Sequence, residues 1–300
     1  MLSHEDIKDF IEHQLTVWSL AKRNYDAIAR IKRKNTKVDD LLVGIQWNPG
    51  RIGSTGAKID VKTISERPCF LCRENRPQEQ LIFPIAKGWE MLVNPFPIFP
   101  VHLTIVSETH RPQSSIPEDI VNMATELPGM AVFFNGAHAG ASAPDHMHMQ
   151  AVLKEEIPLI TLTENYHSKS DFGIKLSSQF GLKLPFFFIS GVVAPDESGM
   201  ATLITGLKSG GLSDRGELTD SSLVNAFFWL DDSGILRFIN IPRRSHRPSC
   251  YYLDGGNCRM VSPGSIDMGG IIIVPREQDF KSLTADEIRR IYSEVAITHI

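Results

Sequence analysis

The sequence predicts an α+β protein built on antiparallel strands, and three observations carry this. The first is the alternation His146-Met147-His148-Met149-Gln150, continued by Ala151-Val152-Leu153, which marks a strand with one buried face. The second is a hairpin: residues 225–230 and 235–240 are apolar runs separated by the turn Asp231-Asp232-Ser233-Gly234. The third is helical periodicity near the two ends, over residues 3–34 and from about 284 to 295.

A chain of 300 residues suffices for one large domain or two smaller ones with a sizeable core. Apolar residues make up 42% and charged residues 22%, the balance of a soluble globular chain. The net charge of −4 gives no electrostatic reason to expect nucleic acid or an anionic membrane as partner. No apolar run reaches the length of a membrane span, and the N-terminus lacks the apolar core of a signal peptide. The cytoplasm is the expected compartment.

Taken in order, residues 3–34 read as one helix, capped by Ser3 with Asp6 three positions on. Ile7, Phe10, Ile11, Gln14, Trp18 and Ala21 lie along one face, and the end is basic at Arg30, Lys32, Arg33 and Lys34. Residues 41–47 have strand character. In the glycine- and serine-containing turn that follows, Arg51 either binds an anion or stands exposed on a hairpin. Cys69-x-x-Cys72 is half a zinc site, a redox pair or two buried thiols; no second such pair follows, so any metal must find its other ligands among histidines. Residues 89–94 and 102–106 read as strands joined by the proline-set connection 95–100, and Pro117 opens a helix through Ile120 and Met123. Residues 184–191 read as a buried strand, 207–222 as an exposed loop entering a helix, and 270–274 as a strand before the final helix. His102 and His138 read as structural or loop residues.

The alternating stretch has chemical content of its own. Met147 and Met149 face a core, so His146, His148 and Gln150 share the other face, about 7 Å apart along the strand. Two surface histidines on an edge strand are the bland alternative. The preceding loop, 135–145, is rich in Gly and Ala, which lets backbone N–H groups approach an anionic ligand.

This stretch resembles the histidine-triad superfamily, in the branch of galactose-1-phosphate uridylyltransferase, the dinucleoside tetraphosphate phosphorylases and the GDP-hexose phosphorylases. There a small-residue loop leads into His-x-His-x-Gln, with the second His as nucleophile. The resemblance implies His148 as nucleophile and Gln150 as the amide that holds the phosphoryl group. It also points to Asn135, Gly136 and Ser142 for the nucleotide phosphates. Asp145 is a departure, since relatives often carry Pro or Asn there. The order of the other motifs is similar to the uridylyltransferases: Cys69 and Cys72, then Asn94-Pro95-Phe96, then His110, then the reactive strand. Asn94 and Phe96 therefore join the expected nucleotide- and phosphate-binding set, and Arg51 is added to it on the anion-binding reading of its own turn. The resemblance further implies a structural zinc held by Cys69, Cys72, His110 and His146.

The implied activity is nucleotidyl transfer or phosphorolysis through a covalent nucleotidyl-His148. A nucleotide or nucleotide sugar is the expected donor and phosphate or a sugar phosphate the acceptor, and nothing in the chain speaks against an oligomer. Hydrolases of the superfamily carry a third His at the position of Gln150; an amide donates to phosphate oxygens but does not activate water. A hydrolase and a non-catalytic nucleotide-binding module are the alternatives. The branch also implies duplicated HIT-like halves, here residues 1–165 with the site and a degenerate 166–300. A faint echo fits this: 105–120 aligns on 273–288, with Ile105/Ile273, Val106/Val274, Ser114/Ser282 and Ile120/Ile288 identical.

Overall fold

The computed structural model describes residues 1–166, 173–193 and 222–298; the loop expected at 207–222 falls outside these up to residue 221. The fold is the expected α+β one. Five strands precede residue 165 in the main sheet: β3 (Phe83–Ala86), β4 (Trp89–Val93), β5 (His102–Ser107), β6 (Met130–Asn135) and β7 (His148–Leu153). Four follow it: β8 (Gly173–Leu176), β9 (Ile189–Val193), β10 (Val224–Leu230) and β11 (Leu236–Pro242). They form one nine-stranded sheet in the order β3-β4-β5-β7-β6-β10-β11-β9-β8. The expected 225–240 hairpin is β10–β11, in register from Val224↔Pro242 to Leu230↔Leu236.

The two faces of this sheet are covered differently. Met91, Ile105, Met149, Val132, Phe228 and Phe238 belong to one core, together with Ile7, Phe10 and Ile11 of α1 (His4–Val17) and Ile120 and Met123 of the helix Ile120–Glu126. Ala131, Phe133, Phe227, Trp229 and Ile239 belong to a second. Over that face lie β1 (Lys32–Val38), β2 (Leu41–Trp47) and β12 (Ile271–Val274), a three-stranded sheet in the order β1-β2-β12, with the helix Ala285–Val295. Alternation along β7 thus divides Met149 from Gln150 as expected, although the ladder begins at His148.

Four expectations are corrected. Residues 3–34 are not one helix: α1 stops at an extended Trp18 (φ −122°, ψ 98°), and α2 covers Ser19–Ile28. The basic residues Lys32, Arg33 and Lys34 lie in β1, where pairing from Lys32↔Trp47 to Val38↔Leu41 outweighs helix propensity. The turn between β1 and β2 puts Asp39 at φ 54°, a conformation Asp tolerates better than most residues. In 184–191 the ladder starts only at Ile189, because the Phe187 N–H donates to Ile297 O and that of Phe188 to Ser177 Oγ. The echo between 105–120 and 273–288 is not a structural repeat. Ile105 lies mid-sheet between Met91 and Met149, whereas Ile273 runs parallel to β2 opposite Gln46.

One local feature positions the site. β6 and β7 pair from Met130↔Leu153 to Phe133↔Gln150 and then part. Asn135 continues alongside Asn225 of β10. The gap is filled by the fully buried Gln113, whose Oε1 accepts from the His148 N–H (2.8 Å) and whose Nε2 donates to His148 O (2.8 Å) and Asn135 O (2.9 Å). A side-chain amide thus replaces a missing stretch of ladder. Gln113→Ala should lower stability by about 1–3 kcal/mol for each buried backbone group left unpaired. The expected sign is a fall in the urea midpoint at unchanged slope; an unaltered midpoint would show the clamp to be dispensable.

Candidate functional site

The register of the main sheet lines up Leu92, Thr104, Gln150 and Phe133 across β4, β5, β7 and β6. All four line a cavity of about 640 Å³, and His148, Asn94, Phe96, Asn135, Ser142 and Arg51 line it too. These expected residues are therefore brought together. Gly136 is the exception: its N–H donates to Val224 O (2.9 Å), and an added Cβ would meet Ser222 O at 2.3 Å. It packs against the start of β10 and does not line the cavity.

The proton positions at His148 follow from its neighbours. Its Nδ1 lies 2.8 Å from His146 O, a group that only accepts, so Nδ1 carries the proton and Nε2 the lone pair. Burial lowers its pKa, while the bond to the His146 carbonyl opposes the shift. Burial and the Nδ1 bond together leave the neutral imidazole with an unprotonated Nε2.

Gln150 Oε1 accepts from His102 Nε2 (2.8 Å) and Asn94 Nδ2 (3.4 Å). His102 is fully buried, and its Nδ1 accepts from the Ile98 N–H (3.1 Å). Burial, with Arg51 nearby, pushes His102 down to about 3. The strap between β4 and β5 is held at every carbonyl from 95 to 98. Asn24 Nδ2 donates to Pro95 O, Arg51 Nη1 to Phe96 O, Asn48 Nδ2 to Pro97 O and Gln46 Nε2 to Ile98 O, at 2.7, 2.8, 3.0 and 3.0 Å. Arg51 is therefore neither on a hairpin nor free; it sits at the cavity wall and fixes the strap.

Beside this strand lies the sulfur–nitrogen cluster. The ligating atoms of Cys69, Cys72, His110 and His146 all fall within 4.8 Å of one another. Cys69 Sγ is 3.3 Å from His146 Nδ1, and Cys72 Sγ is 3.2 Å from His110 Nδ1. A tetrahedral ion with bonds of about 2.3 Å to sulfur and about 2.0 Å to nitrogen would hold such atoms about 3.5 Å apart. His146 Nε2 donates to Ser107 O (2.8 Å), which leaves Nδ1 unprotonated toward the thiols, the usual arrangement behind a metal-bound imidazole. Burial and the Cys69 thiol push Cys72 up to about 11; a bound cation would reverse this. The four residues could hold a metal ion. Asp145 is paired with Arg67 at the edge of this cluster.

The chain after residue 165 closes the cavity with Ser262, Gly264, Ser265, Asp267, His246 and Arg247. Gly140 has φ +95°, and a Cβ there would lie 2.5 Å from Gly264 Cα; only glycine allows the loop this close. Its N–H donates to His246 Nδ1 (3.3 Å), and burial pushes His246 down to about 3. Burial raises Asp267 to about 6 against two backbone N–H bonds and the charges of Arg51 and Arg243. Arg243 does not reach the cavity: five acceptors (Val295 O, Asn225 Oδ1, Pro263 O, Ser245 O and His246 O) take its N–H groups. Arg247 does line it, stacked 4.2 Å from the Tyr251 ring and donating to Thr55 O and Ala57 O.

His102, Gln113, His246 and Arg247 were not assigned to the site from sequence. For His102 a signal exists: His102-x-Thr104 places two polar residues on one face of an otherwise apolar strand. For Gln113 there is none.

With this geometry in view, the fold is similar to that of a solved yeast enzyme, Ap4A phosphorylase Apa2. Yeast Ap4A phosphorylase Apa2 in complex with AMP is similar over 100% of this chain and 99% of its own, at 15% identity and TM-score 0.63. The same enzyme in complex with Ap4A is similar over 100% of both chains, at 16% identity and TM-score 0.60. A family described as a domain of unknown function, DUF4922, matches residues 10–153, which include β7. No curated protein sequence matches the chain. No helix among the described residues is long and apolar enough to cross a membrane.

The two depressed imidazoles make a pH prediction. The ordinary value is 6.5, and His102 and His246 are each held near 3. Below about pH 6.5 the unfolded chain binds two protons that the folded chain refuses. Their contribution to stability is therefore fully present above that pH and is lost as pH falls toward 3. Urea midpoints should drop between pH 7 and pH 4 (about one proton per imidazole), and less so in His246→Gln; a flat profile would contradict the buried neutral state.

Proposed function

We propose that this chain is a nucleotidyltransferase or phosphorylase that works through a nucleotidyl-His148 intermediate. The observation that carries the reading is the His148 tautomer. A proton fixed on Nδ1 by the His146 carbonyl leaves Nε2 as a ready nucleophile inside a cavity, beside an amide rather than a third histidine. The likeness in fold to an enzyme whose structures hold AMP and Ap4A supports a nucleotide or nucleotide-sugar donor.

In the first half-reaction His148 Nε2 attacks the α-phosphorus of the donor. An N–P bond forms and the bond from phosphorus to the bridging oxygen breaks, so the remainder leaves as a phosphate or sugar phosphate. In the second, a phosphate oxygen of the acceptor attacks the same phosphorus and imidazole departs. Gln150, Ser142 and the Asn135 amide face the phosphate oxygens; Asn135 Oδ1 is already taken by the Ser265 N–H and Asn225 Nδ2. Asn94 and Phe96 flank the nucleoside, with Phe96 partly exposed at the cavity. In this reading residues 1–165 carry the chemistry, and 166–300 are a degenerate second half that closes the cavity.

Zinc is the ion that suits Cys69, Cys72, His110 and His146, a closed Cys₂His₂ set of the structural kind. Such an ion would fix the entry to β7. Elemental analysis of protein purified without chelator should find one zinc per chain, and Cys69→Ser should lower thermal stability more than turnover. Substoichiometric zinc, or a Cys69–Cys72 disulfide in reducing buffer, would count against it.

For the reaction, incubation with nucleotide radiolabelled at the α-phosphate should give a burst of label on protein. Phosphate or a sugar phosphate should discharge it fast and water slowly, and His148→Ala should abolish it. Gln150→His should shift the balance toward hydrolysis. Steady hydrolysis without acceptor by the wild type would favour a hydrolase, and saturable nucleotide binding without label or turnover a binding module.

A further inference from the structure

We propose that His102 is a positioning residue that locks the Gln150 carboxamide with its N–H₂ toward the cavity, so that residue 150 can only donate to a bound phosphoryl group. The proposal rests on the transferase reading, but its structural premise is testable without it.

The orientation follows from hydrogen-bond direction alone. A backbone N–H can only donate, so the contact from Ile98 N to His102 Nδ1 (3.1 Å) puts a lone pair on Nδ1. A neutral imidazole then carries its proton on Nε2. That proton points at Gln150 over 2.8 Å, so the atom receiving it must be Oε1. Asn94 gives the same answer independently. Its Oδ1 accepts from the Phe96 N–H (3.0 Å), so Nδ2 is the end that meets Thr104 Oγ1 (3.1 Å) and Gln150 Oε1 (3.4 Å). A flipped Gln150 would set its N–H₂ against two donors in a buried site, leaving polar groups unpaired at about 1–3 kcal/mol each. Among the described residues nothing accepts from Gln150 Nε2, which belongs to the cavity wall.

The anchor is unusually firm. Residues 95, 97 and 100 are proline and have no N–H. Two of the three remaining N–H groups, those of Phe96 and Ile98, are the ones that set Asn94 and His102. Four side chains, those of Asn24, Arg51, Asn48 and Gln46, hold the carbonyls of the same strap. A satisfied core histidine would need one partner for its proton; it would not need that partner to be an amide that lines the cavity two residues from His148. The burial that drives His102 down to about 3 keeps the arrangement intact across the working range of pH.

The test uses full-length protein and Ap4A radiolabelled at its α-phosphates, with His102→Phe, Gln150→Ala and the double variant. Gln150→Ala should slow labelling by about 100-fold, the usual loss for one transition-state donor. His102→Phe should slow it comparably, and the double variant should be no slower than Gln150→Ala. Multiplicative losses would mean that His102 acts elsewhere and would overturn the proposal. His102→Gln, whose Nε2 can donate from about the same place, should recover part of the rate; no recovery would count against it. Nitrogen NMR of labelled imidazoles supplies the substrate-free arm. His102 should read as neutral and Nε2-protonated from about pH 5 to about pH 9, and a charged or Nδ1-protonated ring would overturn the proposal whatever the labelling. Absent labelling with the expected tautomer would instead sink the transferase reading for this donor and leave the orientation standing.

Discussion

The site depends on the parting of β6 from β7 after the Phe133–Gln150 pair. A sheet that stayed zipped would bury the His148 side of the strand under its neighbour's side chains. A sheet that parted without compensation would strand the backbone N–H and C=O of His148 in the interior, at about 1–3 kcal/mol each. The Gln113 amide resolves this by supplying one acceptor and two donors in the geometry of a strand. The His148 backbone is thereby as fixed as a ladder residue, while its ring stands at a cavity.

The space opened by that parting is closed by the last third of the chain. Ser265 donates its hydroxyl to Phe134 O (2.8 Å) and its N–H to Asn135 Oδ1 (2.6 Å). Gly140 meets Gly264 backbone to backbone. The buried Arg243 guanidinium ties Asn225, Pro263, Ser245, His246 and Val295 together through all five of its N–H groups. No carboxylate pairs with it at ion-pair distance among the described residues, and burial pushes it down to about 9. A cation kept in such a place is bound by carbonyl dipoles in number, and the same contacts fix where 263–267 cross the cavity. Its five committed bonds make Arg243 a rivet, and the arginines at the wall are Arg51 and Arg247.

What the sequence revealed and concealed follows from range. Alternation is local, so the division of Met149 from Gln150 was legible residue by residue, as was the Ser3–Asp6 capping box of α1. The Cys-x-x-Cys and the two histidines were recoverable through motif order. Pairing between distant segments was not. Lys32–Val38 is polar nearly throughout and forms a strand because β2 lies beside it; Trp18 breaks a helical pattern although its backbone still donates to Gln14 O. The 105–120 and 273–288 echo misled because strand, loop and acidic helix is a common local order that says nothing of the neighbouring strands. His102 was half legible: its face could be read from the period, but its tautomer depends on Ile98 across the strap.

Four imidazoles around this cavity have their protons assigned by backbone groups rather than by other side chains. Carbonyls of His146 and Ser107 take the protons of His148 Nδ1 and His146 Nε2. Amides of Ile98 and Gly140 take the lone pairs of His102 Nδ1 and His246 Nδ1. The result is two lone pairs, at His148 Nε2 and His146 Nδ1, and two protons, at His102 Nε2 and His246 Nε2. Backbone donors and acceptors do not titrate, so the groups that set each tautomer keep their roles as long as the fold holds. A site built on carboxylate partners would change its tautomers with the charge of those partners. This one is fixed by the course of the chain itself, and that is why so much of the surrounding structure serves to hold backbone in place.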